Sequence, residues 1–244
     1  MVWKKSSLIG FISLIVILSA CSGTSTSEKV YNHLEEAVKL EQTFGTQQKQ
    51  IVELEQEEQD IYSQIIDLSM EEFDQIKELS NQALENIETR KDKITKEKES
   101  IDASREEFSK IENMISDLEE EAAKEKANQL YSTMTDRYNA YDELHEAYSD
   151  SLSLEEELYT MLQEEDLEQE TLTDHIEKLN ESYQKVMDAN QTFNDLTTEY
   201  NSVKEEFYNA AGIEVEYEEN PASGENENNN NEETSESEET ESDE

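Results

Sequence analysis

The chain has 244 residues, with 63 Asp or Glu against 19 Lys or Arg, a formal charge of −44 at pH 7. A field of that sign repels phosphate backbones, which excludes direct nucleic-acid binding, and its plainest role is a solvated surface that keeps an extended chain soluble. No Gly or Pro occurs in the 166 positions between Gly45 and Gly212. The turns that sheet proteins need every 8–12 residues or so therefore cannot be built, and a span rich in Glu, Gln, Lys, Leu and Ala reads as all-α.

The N-terminal segment opens with Lys4 and Lys5 and continues into LIGFISLIVIL at 8–18. That apolar run is too short to span a bilayer, which takes about 20 residues, and has the length of a signal-peptide core. It runs directly into Leu18-Ser19-Ala20-Cys21, and Cys21 is the sole cysteine of the chain. Leu, two small residues and Cys resemble the bacterial lipobox, which implies cleavage before Cys21, lipidation of its thiol and a diacylated anchor. Two buried acyl chains hold a protein stably where one is marginal. The alternative is a plain signal anchor with an incidental thiol. Residues 1–20 are then a lipoprotein signal peptide and 21–27 a short flexible tether, SGTSTS after the cysteine. Removing the two lysines of the signal segment takes the charge to 17 − 63, or −46.

From Glu28 the apolar residues fall at spacings of three and four, the mark of helices with one sticky seam. A first helix carries Val30, Leu34, Ala37, Phe44, Ile51, Leu54, Ile61, Ile65 and Leu68. Ser69 with Glu72 three residues on fits a capping box and predicts a tight helix–helix turn. A second helix from Met70 to about Tyr148 carries Phe73, Ile76, Leu79 and Ala83, then Ile87, Ile94, Ile101, Phe108 and Ile115 at intervals of seven. Ser149-Asp150-Ser151 predicts a break, and Ser153 with Glu156 a second capping box before a short helix over 154–163. A last long helix holds Leu172, Ile176, Leu179, Tyr183, Val186, Asn190, Phe193, Thr197, Tyr200, Val203 and Phe207, and Gly212 ends it. The helical domain is thus 28–212. Residues 213–244 form an acidic tail with nothing to bury after Ala222, which predicts disorder.

Between Glu88 and Glu107 nearly every residue except the heptad isoleucines is charged or polar. Such a stretch suits a thin two-stranded contact better than the middle of a thick bundle. The expected architecture is therefore two antiparallel hairpins placed end to end along one long central helix, an elongated coiled-coil rod. The alternative is a break near Ala103-Ser104 and a thicker bundle.

Candidate chemistry is sparse. His33, His145 and His175 lack partners at zinc spacing, and Asp142-x-x-His145 is half of a di-iron carboxylate motif whose other half is missing. The serines lie on helices, caps or the tail, and there is no Gly-rich phosphate loop. No catalytic residue, metal ligand or cofactor is expected, and the chain reads as a non-enzyme. Tyr131, Tyr138, Tyr141 and Tyr148 are the most unusual cluster. They form either a contact surface that stacks against sugar rings or a partner helix, or a bulky seam with wet hydroxyls. Asn190 in the last seam reads as a register-setting polar residue. The acidic tail is a solvated spacer, or a loose collector of divalent cations.

EQEEQDIYSQIIDLSMEEFDQI, DRYNAYDELHEAY, ANQTFNDLTTEYN and FYNAAGIEVEYEE, together with the lipobox, resemble the YkyA-type lipoproteins of Bacillus-like Gram-positive bacteria over about residues 1–217. The resemblance implies a lipoprotein held through Cys21 on the outer face of the cytoplasmic membrane, with the cell wall as a candidate ligand. It supplies no catalytic residues. A Gram-positive wall is itself anionic, so a chain at −46 binds it only through aromatic patches or bridging cations. The expected function is a helical spacer or wall-binding protein. The alternative is a coiled-coil adaptor that docks a peptidoglycan hydrolase or transporter, and oligomeric state is not set by the sequence.

Overall fold

The computed structural model describes residues 14–15 and 25–217, so Cys21 and the tail beyond 217 lie outside the described residues. The chain divides into two units, and among the described residues every helix lies in the unit spanning 17–214. In the other, β1 (Leu14–Ile15) pairs antiparallel with β2 (Glu216–Tyr217), with Leu14 opposite Tyr217.

The helical unit is built from α1 (Thr26–Leu40), α2 (Gln42–Ile66), α3 (Phe73–Ser109), the short α4 (Glu112–Ile115), α5 (Glu121–Met161) and α6 (Gln169–Ala210). The all-α class and the antiparallel hairpins are as the sequence indicates. Ser25 caps α1 by accepting the Glu28 N–H at 3.1 Å, so the helix starts within the stretch read as a tether. At Ser69 the expected capping box forms, with the Ser69 N–H donating to the Glu72 carboxylate at 3.2 Å. At the far terminus Gly212 adopts φ 67°. The Gly212 N–H bonds Asn209 O at 3.3 Å and the Ile213 N–H bonds Tyr208 O at 2.9 Å, the paired bonds of a Schellman stop.

α1 and α2 form one bent arm. The bend at Glu41 has a specific cause in Ser100 of α3. Its hydroxyl accepts the Phe44 N–H at 3.3 Å and donates to Leu40 O at 2.6 Å, inserting itself where a backbone bond would close. A side chain inserted into the ladder is a standard origin of a helix kink.

The long central helix is where the structure departs from expectation. It ends at Ser109, and the chain reverses over 110–120 before α5 begins. Ile111, Ile115 and Leu118 are buried in this reversal and plug the end of the core. Glu119, Glu120 and Glu121 then sit at the start of α5, where the positive end of the helix dipole favours carboxylates. The break is therefore not at Ser104, and the hairpins lie side by side. Arg105 reaches Asp142 at 2.7 Å, and Phe108 stacks on Tyr131 at 5.6 Å, so α3 and α5 run antiparallel in contact. The α1–α2 arm also meets α6, through Tyr31 against Tyr208 and Phe44 against Phe193. Four arms pack around one core in up-down-up-down order.

The second departure is that α5 is continuous to Met161. Ser149 donates to His145 O at 2.7 Å and Ser153 to Ser149 O at 3.0 Å, so these hydroxyls bond back to their own helix instead of capping a new one.

Gly212→Ala tests the stop. A Cβ there meets nothing within 4 Å, so the cost is that of a left-handed backbone alone, about 1 kcal/mol. We expect a small drop in the urea midpoint, with Gly212→Asn losing less because Asn tolerates that conformation.

Candidate functional site

The feature that sets this bundle apart is a stack of polar layers inside it. Along α3, Arg90, Ile94, Glu97, Ile101, Ser104 and Phe108 all face inward, apolar and polar side chains alternating at spacings of three and four. The polar members recur every seven residues, as the isoleucines do.

The central layer joins all four arms. Arg137 of α5 grips Glu41 through two bonds of 2.9 and 2.8 Å, and its Nε donates to Thr197 of α6 at 2.8 Å. Ser104 of α3 donates to Glu41 at 2.9 Å and lies 2.8 Å from the Tyr138 hydroxyl. The guanidinium also lies over the Phe193 ring, 4.7 Å from its centroid. Both charges are buried, and with every carboxylate oxygen matched to donors the pair offsets its own desolvation.

A second layer centres on Glu97, which is 2% exposed. Gln48 donates to one of its oxygens at 3.1 Å; the other has no hydrogen-bond partner, and neither has the buried Tyr141 hydroxyl. Burial raises the Glu97 carboxyl to about 8, against the Gln48 bond that favours the anion. A third layer holds Arg90 paired with Glu155, Tyr159 donating to Glu58, Tyr183 donating to Glu155 at 3.0 Å and Tyr148 to Glu55 at 2.8 Å. Burial raises Glu155 to about 7, with Arg90 opposing, and it also raises Glu55. Nearer the α1 terminus, Glu35 accepts from Tyr208 at 2.8 Å and Lys204 at 3.2 Å, and burial followed by Glu35 pushes the Tyr31 hydroxyl up to about 12.

The four tyrosines singled out by sequence divide between these layers. Tyr138 and Tyr141 are buried, while Tyr131 and Tyr148 are half-buried, the former stacked on Phe108 and the latter bonded to Glu55. An exposed stacking platform is thus not what they form, because their rings fill the space between arms. Asn190 accepts from Asn194 of its own helix at 2.8 Å, so cross-helix register falls to Glu41 with Arg137 and Arg90 with Glu155. Asp142 turns to Arg105 and Lys98 rather than to His145. His33 meets Glu107 at 2.6 Å, and His175 meets Leu154 O at 2.8 Å. Among the described residues no three His, Cys, Asp or Glu side chains converge as metal ligands. A shallow depression on the outer face of α5, lined by Ser153, Glu156, Glu157, Thr160 and Met161, contains none of the interior carboxylates. What the arrangement does chemically is hold charges and protons in place between helices.

Three substitutions test the layers. Arg137→Met leaves Glu41 buried without its cation and should cost roughly 3–5 kcal/mol by chemical denaturation, while Glu41→Leu combined with Arg137→Met should recover much of that loss. The raised carboxyls make stability depend on pH with a definite sign. Glu97 has no cation partner, so the folded state holds a proton there that the unfolded chain releases near 4.5, and this contribution to stability is full in mild acid and lost as pH rises to about 8. Glu97→Gln removes that loss, read as a flatter urea midpoint between pH 5 and 8.5.

All of these layers lie within residues 25–210, the stretch matched by the family YkyA, described as "Putative cell-wall binding lipoprotein". The "Uncharacterized lipoprotein YkyA" of Bacillus subtilis (strain 168) is 36% identical over 98 residues, 40% of this chain. The match spans 44% of that curated relative's length. A crystal structure of a conserved protein of unknown function from Staphylococcus aureus superposes with a TM-score of 0.58 at 16% identity, covering 78% of this chain and 97% of that one. That likeness is one of fold. With its long antiparallel helices and a match over most of its length, the chain belongs to the YkyA family of lipoproteins.

Proposed function

We propose that the protein is a non-enzymatic spacer lipoprotein, tethered by a lipidated Cys21 to the outer face of the cytoplasmic membrane after removal of residues 1–20. The observation that carries this reading is the position of the first helix cap. Ser25, which caps α1, lies four residues after Cys21, a reach of about 14 Å at most. An anchor there holds one end of a stiff helical unit close to the bilayer, and the α1–α2 arm runs about 60 Å from that end. The family description and the Leu18-Ser19-Ala20-Cys21 pattern support the anchor. The interior supports the non-enzymatic part, since its carboxylates and hydroxyls are enclosed between helices. With Tyr138 and Tyr141 buried, wall binding through that aromatic row has little surface to use, which favours the spacer role. Residues 213–244 extend it as an acidic tail.

A second reading, an adaptor that docks a protein partner, is favoured by the exposed apolar residues Ile66 and Met70 at the α2–α3 turn.

Cys21→Ser tests the anchor. Labelled palmitate should be incorporated into the wild-type chain and not into the variant, and the variant should leave the membrane fraction. Label that persists in the variant would remove the lipid from Cys21.

A further inference from the structure

Two of the most exposed large apolar side chains of the helical unit stand four residues apart at the α2–α3 turn, Ile66 at 62% and Met70 at 64%. They are not on a frayed end. The Ser69–Glu72 box orders the turn, with the Glu72 N–H on Ser69 O at 2.9 Å. Leu68 and Phe73 pack inward against the cluster that includes Ile65, Ile76 and Leu79. The turn is therefore rigid and presents Ile66 and Met70 in fixed positions, which lowers the ordering cost of binding. The α5–α6 connection lies beside it, because Leu162 joins the same cluster and Glu165 meets Lys77 at 3.8 Å.

Charge at this end has one dominant sign. Residues 50–76 contain nine Asp or Glu and no Lys or Arg, and residues 138–177 contain fourteen and none. The opposite end is mixed, with Lys29, Lys110, Lys124, Lys126 and Lys204 among its acids. An apolar pair rimmed by Asp67, Glu71 and Glu72, with 164–168 alongside, repels an anionic bilayer and a second copy of the same end. It attracts a cationic surface with apolar residues at its centre.

We propose that this end docks an amphipathic helix of a partner protein, its apolar face covering Ile66 and Met70 and its Lys or Arg side chains meeting Asp67, Glu71 and Glu72. The inference rests on the adaptor reading above and gives it its partner chemistry. It places the docking surface about 60 Å from Ser25, at the end of the arm remote from the tether.

The test uses the full chain in zwitterionic nanodiscs, with empty discs subtracted, at about 0.1 M salt. Two labelled helical peptides of equal charge are titrated by fluorescence anisotropy, one of Leu and Lys at heptad spacing, the other with Ser replacing each Leu. The Leu peptide should bind at least about tenfold more tightly than the Ser peptide. Ile66→Ser combined with Met70→Ser should abolish that advantage, while Val52→Ser, an exposed apolar position elsewhere on α2, should keep it. Both changes are on the surface, and an unchanged circular-dichroism melt will show that the fold is intact. Equal binding of the two peptides to the wild type, or a preference that survives the double substitution, overturns the proposal. The same titration of the Cys21→Ser chain free of nanodiscs should show the same preference, so failure of the docking surface and failure of the anchor are told apart.

Discussion

The bidentate pair between Glu41 and Arg137 is the contact on which the arrangement of the four arms depends. It draws on the α1–α2 junction, α3, α5 and α6 at once. Each partner is satisfied only when all the arms are present, because a guanidinium or carboxylate left buried alone costs several kcal/mol. Apolar seams by themselves tolerate slippage by a heptad. A charge pair with Thr197 and Ser104 as further ligands does not, so it sets the register of arms that isoleucine spacing would leave degenerate. The same pairing holds the bend at Glu41, where Ser100 has already opened the backbone ladder.

The remaining layers extend this logic toward the α2–α3 turn with an excess of carboxyls over cations. Glu55, Glu58 and Glu155 gather near Arg90, and tyrosine hydroxyls supply the missing donors. A neutral hydroxyl stabilises a carboxylate less than a cation does, and burial raises the carboxyls of Glu55 and Glu155. A surface at high negative charge and an interior that retains protons are consequences of the same composition. The outer acids stay in water, and the inner ones are matched or neutralised. Ile66 and Met70 interrupt the acidic surface at the end of the arm remote from Ser25, and Val52 does so midway along α2.

Much of this is legible in the sequence. The isoleucines at intervals of seven from Ile87 to Ile101 are buried, the Ser69–Glu72 box forms, and Gly212 stops the last helix. These are local signals, and local backbone chemistry is enough to produce them. Two expectations differ from the structure, the unbroken central helix and the break at Ser149–Ser153. The polar stretch Glu88 to Glu107 predicts a thin contact rather than a thick bundle, yet Arg90, Glu97 and Ser104 lie inside one. A signal was present, since these three recur at seven-residue spacing out of phase with the isoleucines and complete the inward stripe. Serines at 149 and 153 read as breakers because a hydroxyl that bonds back to its own helix looks, in sequence, like one that caps the next. The tyrosine row is open in sequence between a contact surface and a packed seam, because a ring with a polar tip suits either, and the structure buries Tyr138 and Tyr141.

The sequence by itself determined that the chain is helical, where several of its helices stop, and that Cys21 is the residue to ask about for an anchor. Those follow from residue spacing, caps and composition, each sensed within a few turns of backbone. Only the tertiary structure decided that the hairpins pack side by side and that the tyrosines face inward. Both outcomes turn on whether a charge or hydroxyl finds its partner 60 or 96 positions away, as Arg137 finds Thr197 and Glu41. Burial of a polar group is unfavourable until that partner arrives, and no local pattern records the meeting.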